Sequence, residues 1–587
     1  MVDLNKVKED KLPVTLITPK ITDTKLGEAV YCMPKIVPGT YSIYDFGRFL
    51  SEFKAFDVNG KELNVKQLDE NRWAISQPTN LHKITYWVED TYDTDQKNVV
   101  FEPAGTNIEE KKNFIINTHG FFGYLEGMKR NDYELTFAKP EGFYGATSLV
   151  ATQNTPTTEK FLVEDYSQLV DAPMMFAVPD TTVMKVGGAD VLVAVYSPNK
   201  RLTSQYVADN IKDILAAQKE YLGGSLPVNR YAFIIYLFEG MSRSGAMGAL
   251  EHSYSSLYSL PEMEPQDLTQ FIKDVAAHEF FHIVTPLSIH SEQIHDFDFI
   301  NPQMSQHLWL YEGVIEYFAG HVQVKYDLMP PDQYLKVLHD KIQEAKTYKD
   351  KLPFTVMSKG CLHEHKNQYQ NVYAKGALIG MCIDIKLRQL SEGKYGVQNL
   401  MRDLAKEYGK EKPFKDEELF DKITQLTFPE MRKFFTDYIE GVNPLPLKEL
   451  FKAVGVLYDR TTTTTFATLG NISLTLDENK VVISDTKNMN AFGKKMGYQE
   501  GDAIVQLNEQ NITPENASEI IEQYRRNTKE GEKVTVVVER KSGSNTKTKK
   551  LKGKALTSQE ELYVPLAFDP QATPEQLKLR EAWLKAK

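Results

Sequence analysis

Two kinds of hydrophobic periodicity divide the chain. Up to about residue 170, apolar and β-branched positions come in short alternating runs, at 14–17, 53–58 and 84–88, punctuated by Pro38-Gly39 and Asn59-Gly60. A period of two sends successive side chains to opposite faces, which suits half-buried strands, and Asn-Gly favours a tight hairpin turn. Residues 1–170 therefore read as a β-rich, sandwich-like domain. Past residue 190 the spacing changes. Strands are predicted at 191–196 and 231–238, with a helix between them at 202–221 that carries Leu202, Tyr206, Ile211 and Leu215 at helical spacing. From 266 to about 454 the helical period dominates and predicts helices at 268–284, 308–324, 331–345, 373–390, 397–408 and 429–439. Strands followed by helices make residues 171–459 an α+β domain.

A threonine-rich stretch at 460–465 reads as a linker. Short strands follow at 471–476, 480–484, 503–507 and 533–540, with a helix at 514–525, so 460–555 forms a small third domain. Residues 556–587 are polar and rich in Glu and Lys, a C-terminal tail with a helix after Pro574. The chain thus reads as multi-domain α+β.

Composition narrows the function. At roughly 150 residues per domain, 587 residues suit three to four domains. Hydrophobic residues at 41% and charged residues at 25% are an ordinary globular balance. The net charge of -11 argues against nucleic acid or an anionic membrane as partner. No run approaches the roughly 18 apolar residues of a membrane span. Cys32, Cys361 and Cys382 are far apart and odd in number, which implies no disulfide framework. Residues 1–12 are charged and show no apolar leader, so the chain is cytoplasmic on its face. A start left by removal of a leader fits equally, and the compartment stays open, as does the oligomeric state.

Candidate chemistry centres on His278-Glu279-Phe280-Phe281-His282, inside the predicted helix 268–284. Residues four apart share a helix face, so both imidazoles point to one place. Zinc accepts such a pair, and the intervening Glu stands where a base for water is needed. A catalytic zinc also needs a third protein ligand. The segment Leu308-Trp309-Leu310-Tyr311-Glu312-Gly313, on the next predicted helix, resembles the Leu-Trp-x-x-Glu-Gly segment of gluzincin peptidases. The resemblance makes Glu312 the third ligand, 30 positions after His282 and so beyond a longer connecting loop than in aminopeptidase N enzymes. Glu316, one turn further on, is either an exposed charge or a hydrogen-bond partner of a ligand histidine.

Other segments extend the likeness. Gly248-Ala249-Leu250-Glu251-His252 resembles the Gly-x-Leu-Glu-His form of the glycyl aminopeptidase family, in which the Glu binds the substrate's α-amino group. Tyr373-Ala374-Lys375-Gly376 resembles the Tyr-x-Lys-Gly segment whose hydroxyl supports the tetrahedral intermediate. Met33-Pro34-Lys35-Ile36-Val37-Pro38-Gly39-Thr40-Tyr41 is similar to the Pro-x-x-x-Pro-Gly-x-Tyr segment of the same family. The segment Gly497-Tyr498-Gln499-Glu500-Gly501-Asp502-Ala503-Ile504 resembles a PDZ module of bacterial-protease type. The likeness spans nearly the whole chain. It departs at Val284-Thr285, where relatives carry Trp-Asn, and at Ile315, where they carry Thr.

The resemblance implies a thermolysin-like catalytic domain at 171–459, a PDZ-like domain at 460–555 and one zinc per chain held by His278, His282 and Glu312. It implies peptide substrates, Glu279 as general base and Tyr373 as oxyanion support. It also implies recognition of a free N-terminus by Glu251, with Gly248 and Ala249 in the binding strand, and removal of small N-terminal residues such as Gly or Ala. A zinc endopeptidase, or a non-catalytic scaffold that binds peptide ends through its PDZ-like domain, are the alternatives. Cys361-Leu362-His363-Glu364-His365 reads as a surface loop. His290, His295 and His307 read as loop residues or supports around the ligands.

Overall fold

The alternating runs near the N-terminus fold into largely antiparallel sheets, with one parallel pair, Val2–Asp3 beside Tyr133–Ala138. In a computed structural model, which describes residues 1–23, 25–477, 480–542 and 545–586, an eight-stranded sheet runs in the order Ala151–Thr155, Thr158–Val163, Tyr133–Ala138, Val2–Asp3, Lys11–Ile17, Lys83–Glu89, Leu50–Phe56, Glu62–Leu63. Alternation sets its faces: in Lys11–Ile17, Leu12 and Val14 are buried and their neighbours are less so. Two four-stranded sheets complete this β-rich region, one containing Asn113–Ile116 and Met174–Ala177, the other Glu28–Cys32 and Arg72–Ser76.

A five-stranded sheet follows, in the order Thr181–Val186, Ala189–Tyr196, Arg230–Phe238, Ser255–Pro261, Gly248–His252. Arg230–Phe238 pairs in parallel with both neighbours. Its interior positions are buried on both faces, which explains the continuous apolar run. Gly248–His252 is the antiparallel edge. Ile115, Ala146 and Met175 of the N-terminal sheets share a core with Leu192, Ala232, Ile234 and Leu257 of this one. That shared core joins residues 1–456 into one compact unit, to which 566–587 also belong.

Helices cover the second sheet. Pro265–Phe281 begins with proline at its first turn and Asp267 beside it, both suited to a helix N-terminus. The predicted helix 308–324 is instead two pieces. Trp309–Val314 is π-helical and Ile315–Lys325 is α-helical. Such wide turns recur at functional sites. The helix Asn371–Leu390 crosses this pair where two glycines meet: a Cβ on Gly313 would lie 2.6 Å from the carbonyl carbon of Gly376. No larger residue fits there, and the contact sets Glu312 and Tyr373 on facing backbones.

The 460–465 linker is corrected by the structure. It is part of the strand Arg460–Ala467, antiparallel to Thr557–Val564. β-branched threonines favour extended pairing, and the partner strand lies in what composition alone marks as a tail. The rest of that tail is ordered too: Pro574–Leu584 is helical and returns to the first unit, burying Ala582, Trp583 and Leu584. Residues 457–565 form the second compact unit. Its main sheet runs Ser473–Asp477, Lys480–Asp485, Ala503–Leu507, Lys533–Ser542, Asn545–Lys554, and its core holds Val481, Ile483, Phe492, Val534, Val536 and Val538. Among the described residues no helix is long and apolar enough to cross a membrane.

Candidate metal centre

Helical spacing brings His278 and His282 together as the sequence predicts. His282 caps the Pro265–Phe281 helix, and the two rings lie 5.0 Å apart. Glu312 approaches from the π-helical turn, its Oε2 3.5 Å from His278 Nε2 and 3.8 Å from His282 Nε2. Donor atoms of these three buried residues all lie within 4.8 Å of one another.

Each ring is fixed through its other nitrogen. His278 Nδ1 meets Glu316 Oε2 at 2.7 Å, and His282 Nδ1 meets the Thr285 carbonyl at 3.0 Å. Both Nε2 atoms thereby face the centre, and backing of this kind is usual for metal-bound histidines. Glu316 is thus a partner of a ligand histidine rather than an exposed charge, and Lys341 Nζ donates to its other oxygen at 2.6 Å. His282 Nε2 and Glu279 Oε2 are buried and have no protein hydrogen-bond partner. Two imidazoles and a carboxylate that converge on one point, with His282 Nε2 left unpartnered, fit zinc.

Charge and burial set the protonation states. Burial pushes the Glu279 carboxyl up to about 7, with Glu312 and Glu316 adding to the rise and His278 opposing it. Burial pulls His282 down to about 4, which keeps it neutral as a ligand must be. For His278 burial acts downward too, but Glu312 and Glu316 outweigh it and hold the ring well above its ordinary value. Proton and cation compete at this Nε2. Burial, then the charges of Glu312 and Glu279, keep Glu251 well above the carboxylate range.

Glu251 lies on the edge strand with Gly248 and Ala249. It forms a second close group with Glu279 and His282, again within 4.8 Å. The Tyr373 ring stands 5.7 Å from that of His278, and its hydroxyl shares a 2.7 Å hydrogen bond with Tyr369. His278, Glu279, His282, Glu312, Glu251 and Tyr373 therefore come together, while Gly248 and Ala249 lie further along the edge strand. A cavity of about 620 Å³ opens beside His282 and Glu251, lined also by His119, His252, Asp171 and Phe299.

The bystander histidines fall elsewhere. His290 and His295 pair with each other along the cavity wall. His307 accepts from Trp309 Nε1–H at 3.0 Å behind the ligand turn. In 361–365 His363 and Glu364 are exposed, and the segment supplies no metal-ligand group among the described residues. Sequence reasoning missed Tyr369 and Lys341. It found the motif around Tyr41 without a role for it.

Residues 1–178 match the family model described as the peptidase M61 N-terminal domain, and 272–379 match that described as M61 glycyl aminopeptidase. No curated protein matches the chain. Among solved structures, an aminopeptidase N family protein from Idiomarina loihiensis is similar over 100% of this chain and 99% of its own, with 18% identity and a TM-score of 0.74. That is a likeness of fold. An M1 zinc metallopeptidase from Deinococcus radiodurans is 12% identical over 74% of this chain and 91% of its own, with a TM-score of 0.43. The two family matches occur in order along one chain, and His278, His282 and Glu312 all lie inside the second. The chain therefore carries two M61 peptidase regions, at 1–178 and 272–379, and is a zinc-dependent peptidase.

Proposed function

We propose that the enzyme is an aminopeptidase that removes small N-terminal residues, Gly or Ala, from peptides. The observation that carries this reading is the position of Glu251, a half-buried carboxylate on the edge strand of the sheet, grouped with Glu279 and His282. An extended peptide pairs naturally with such an edge. Its α-ammonium would meet Glu251 and favour the ionised carboxylate.

His278, His282 and Glu312 would hold one zinc per chain, which when bound supplies Lewis acidity at the scissile carbonyl. Glu279, poised near neutrality, takes a proton from the attacking water and returns it to the leaving amine. The Tyr373 hydroxyl donates to the oxygen that becomes negative. Gly248 and Ala249 offer backbone groups to the peptide. The unit 457–565 is read as a PDZ-like module, a reading supported by its six-stranded main sheet and by the helices Ala491–Met496 and Ala517–Asn527.

The test is kcat/KM for a matched pair, glycyl-anilide and N-acetyl-glycyl-anilide, on the parent and on Glu251→Ala. A charge-assisted contact of about 1.5–3 kcal/mol gives roughly a ten- to hundredfold preference for the free amine. Glu251→Ala should remove that preference and keep its zinc. Equal rates on the pair in the parent would make the enzyme an endopeptidase.

A further inference from the structure

The segment Pro38-Gly39-Thr40-Tyr41 comes from the N-terminal β-rich region, yet three of its contacts end in the metal centre. The Tyr41 hydroxyl donates to Glu312 Oε1 at 3.0 Å. Its ring stacks on Tyr369 with centroids 4.6 Å apart, and Tyr369 in turn bonds the Tyr373 hydroxyl. Gly39 lies so close to Glu251 that a Cβ there would fall 2.6 Å from the carboxyl carbon and 2.7 Å from Oε2.

The backbone is held in a costly shape to do this. Tyr41 has φ 49° and Gly39 has φ 91°. Glycine takes a positive φ without penalty, whereas a bulky aromatic residue does so only where its surroundings over-determine it. Strain of this kind concentrates at functional sites. Tyr41 is buried, and its one carboxylate partner is a metal ligand.

We propose that this loop is a working part of the active site: Tyr41 positions the ligand carboxylate of Glu312, and Gly39 positions the substrate-binding carboxylate of Glu251. The Tyr41 hydroxyl occupies one oxygen of Glu312 and leaves Oε2 turned toward both histidines. The bare face of Gly39 covers one side of the Glu251 carboxyl and leaves the other for the substrate. The catalytic helices alone would supply the ligands but not their orientation. Both roles rest on the aminopeptidase reading only for Glu251; the Tyr41 role concerns metal binding itself.

Two substitutions test the two arms. Tyr41→Phe keeps the stack on Tyr369 and removes only the hydroxyl. Zinc affinity, read by competition with a chelator in the absence of substrate, should fall roughly ten- to hundredfold, while the melting temperature stays near the parent's. Unchanged zinc affinity overturns the Tyr41 assignment. Gly39→Ala forces the Glu251 carboxyl aside, so KM for glycyl-anilide should rise about tenfold or more with zinc affinity unchanged. The double variant Gly39→Ala/Glu251→Ala should then be no worse than Glu251→Ala alone, because both act through one carboxylate. Additive losses in the double variant overturn the Gly39 assignment. The zinc readout needs no turnover, so a parent inactive on every peptide would defeat the proposed function and leave the Tyr41 result to stand on its own.

Discussion

Glu279 and Glu312 are buried carboxyl groups beside the same imidazole, and their surroundings push them apart. Burial raises both. At Glu312 hydrogen bonds and charge from His278 and His282, with the Tyr41 hydroxyl, outweigh burial and hold it below its ordinary value, so it stays an anion. Glu279 receives less help and rises to about 7. Two carboxyls held apart in this way suit two different tasks, a permanent ligand and a group that exchanges protons near neutral pH. Glu279→Gln is isosteric and cannot accept a proton. It should keep one zinc per chain and lose about 10²–10⁴-fold in kcat. Tyr373→Phe should also keep zinc and lose kcat with little change in KM, since its hydrogen bond forms with charge that develops during reaction. Metal analysis beside steady-state kinetics checks both. Loss of zinc in either variant would make that residue structural rather than chemical.

The helix Ile315–Lys325 serves two sites with two faces. Its first turn presents Glu316 to the metal centre, and its far end presents His321 to the final helix. His321 Nε2–H donates to the Trp583 carbonyl and Nδ1 accepts from the Tyr221 hydroxyl, each at 2.7 Å. The contact at Nδ1 needs the neutral ring, and burial lowers its pKa to about 3. In the unfolded chain an ordinary histidine takes a proton below about pH 6.5. The unfolded state therefore binds more protons between pH 6.5 and 3, and stability falls as pH drops through that window by up to about 1.4 kcal/mol per unit. His321→Gln, uncharged throughout, should flatten the acid side of the melting-temperature profile; a parallel profile would show that His321 does not set it. Most elements near the site were legible in the sequence because their periods are local. The 331–345 helix occurs as predicted. The pair of histidines follows from spacing alone. The π-helical turn was not legible, because the apolar pattern of 308–324 is compatible with one continuous helix. Nor was the role of Tyr41, whose partner lies 271 residues away in the chain. The threonine strand failed as a linker because its signal is β-branching without hydrophobicity, and its partner comes some ninety residues later.

At the scale of the whole molecule, the second unit is an insertion. The chain leaves the catalytic unit after residue 456, builds 457–565, and returns. The return is anchored at once: the Asp569 amide donates to the Gly455 carbonyl at 2.8 Å, so the two ends of the excursion are held together. The last helix is then locked in place. Trp583 is fully buried and its indole N–H donates to the Tyr317 hydroxyl at 3.0 Å, which donates to Asp384. Lys325 Nζ donates to the carbonyls of Ala582, Trp583 and Lys585, the open end of that helix. Two deletions should therefore behave in opposite ways, although the larger one removes about five times as many residues. Replacing 457–565 by a short Gly-Ser linker removes a unit with its own core and leaves the anchors intact. That protein should bind one zinc per chain and cleave glycyl-anilide within a few-fold of the parent. Ending the chain at 565 removes only the final segment but exposes the core around Tyr317 and His321. Truncating a buried Trp alone costs about 3–5 kcal/mol, against a typical total of about 5–15 kcal/mol. The shortened chain should melt far below the parent and lose its zinc. Thermal melts with metal analysis on both proteins decide the matter. A stable, zinc-loaded chain ending at 565 would show that the last helix is a passenger, and an inactive excised protein would show that the inserted unit is needed for the chemistry.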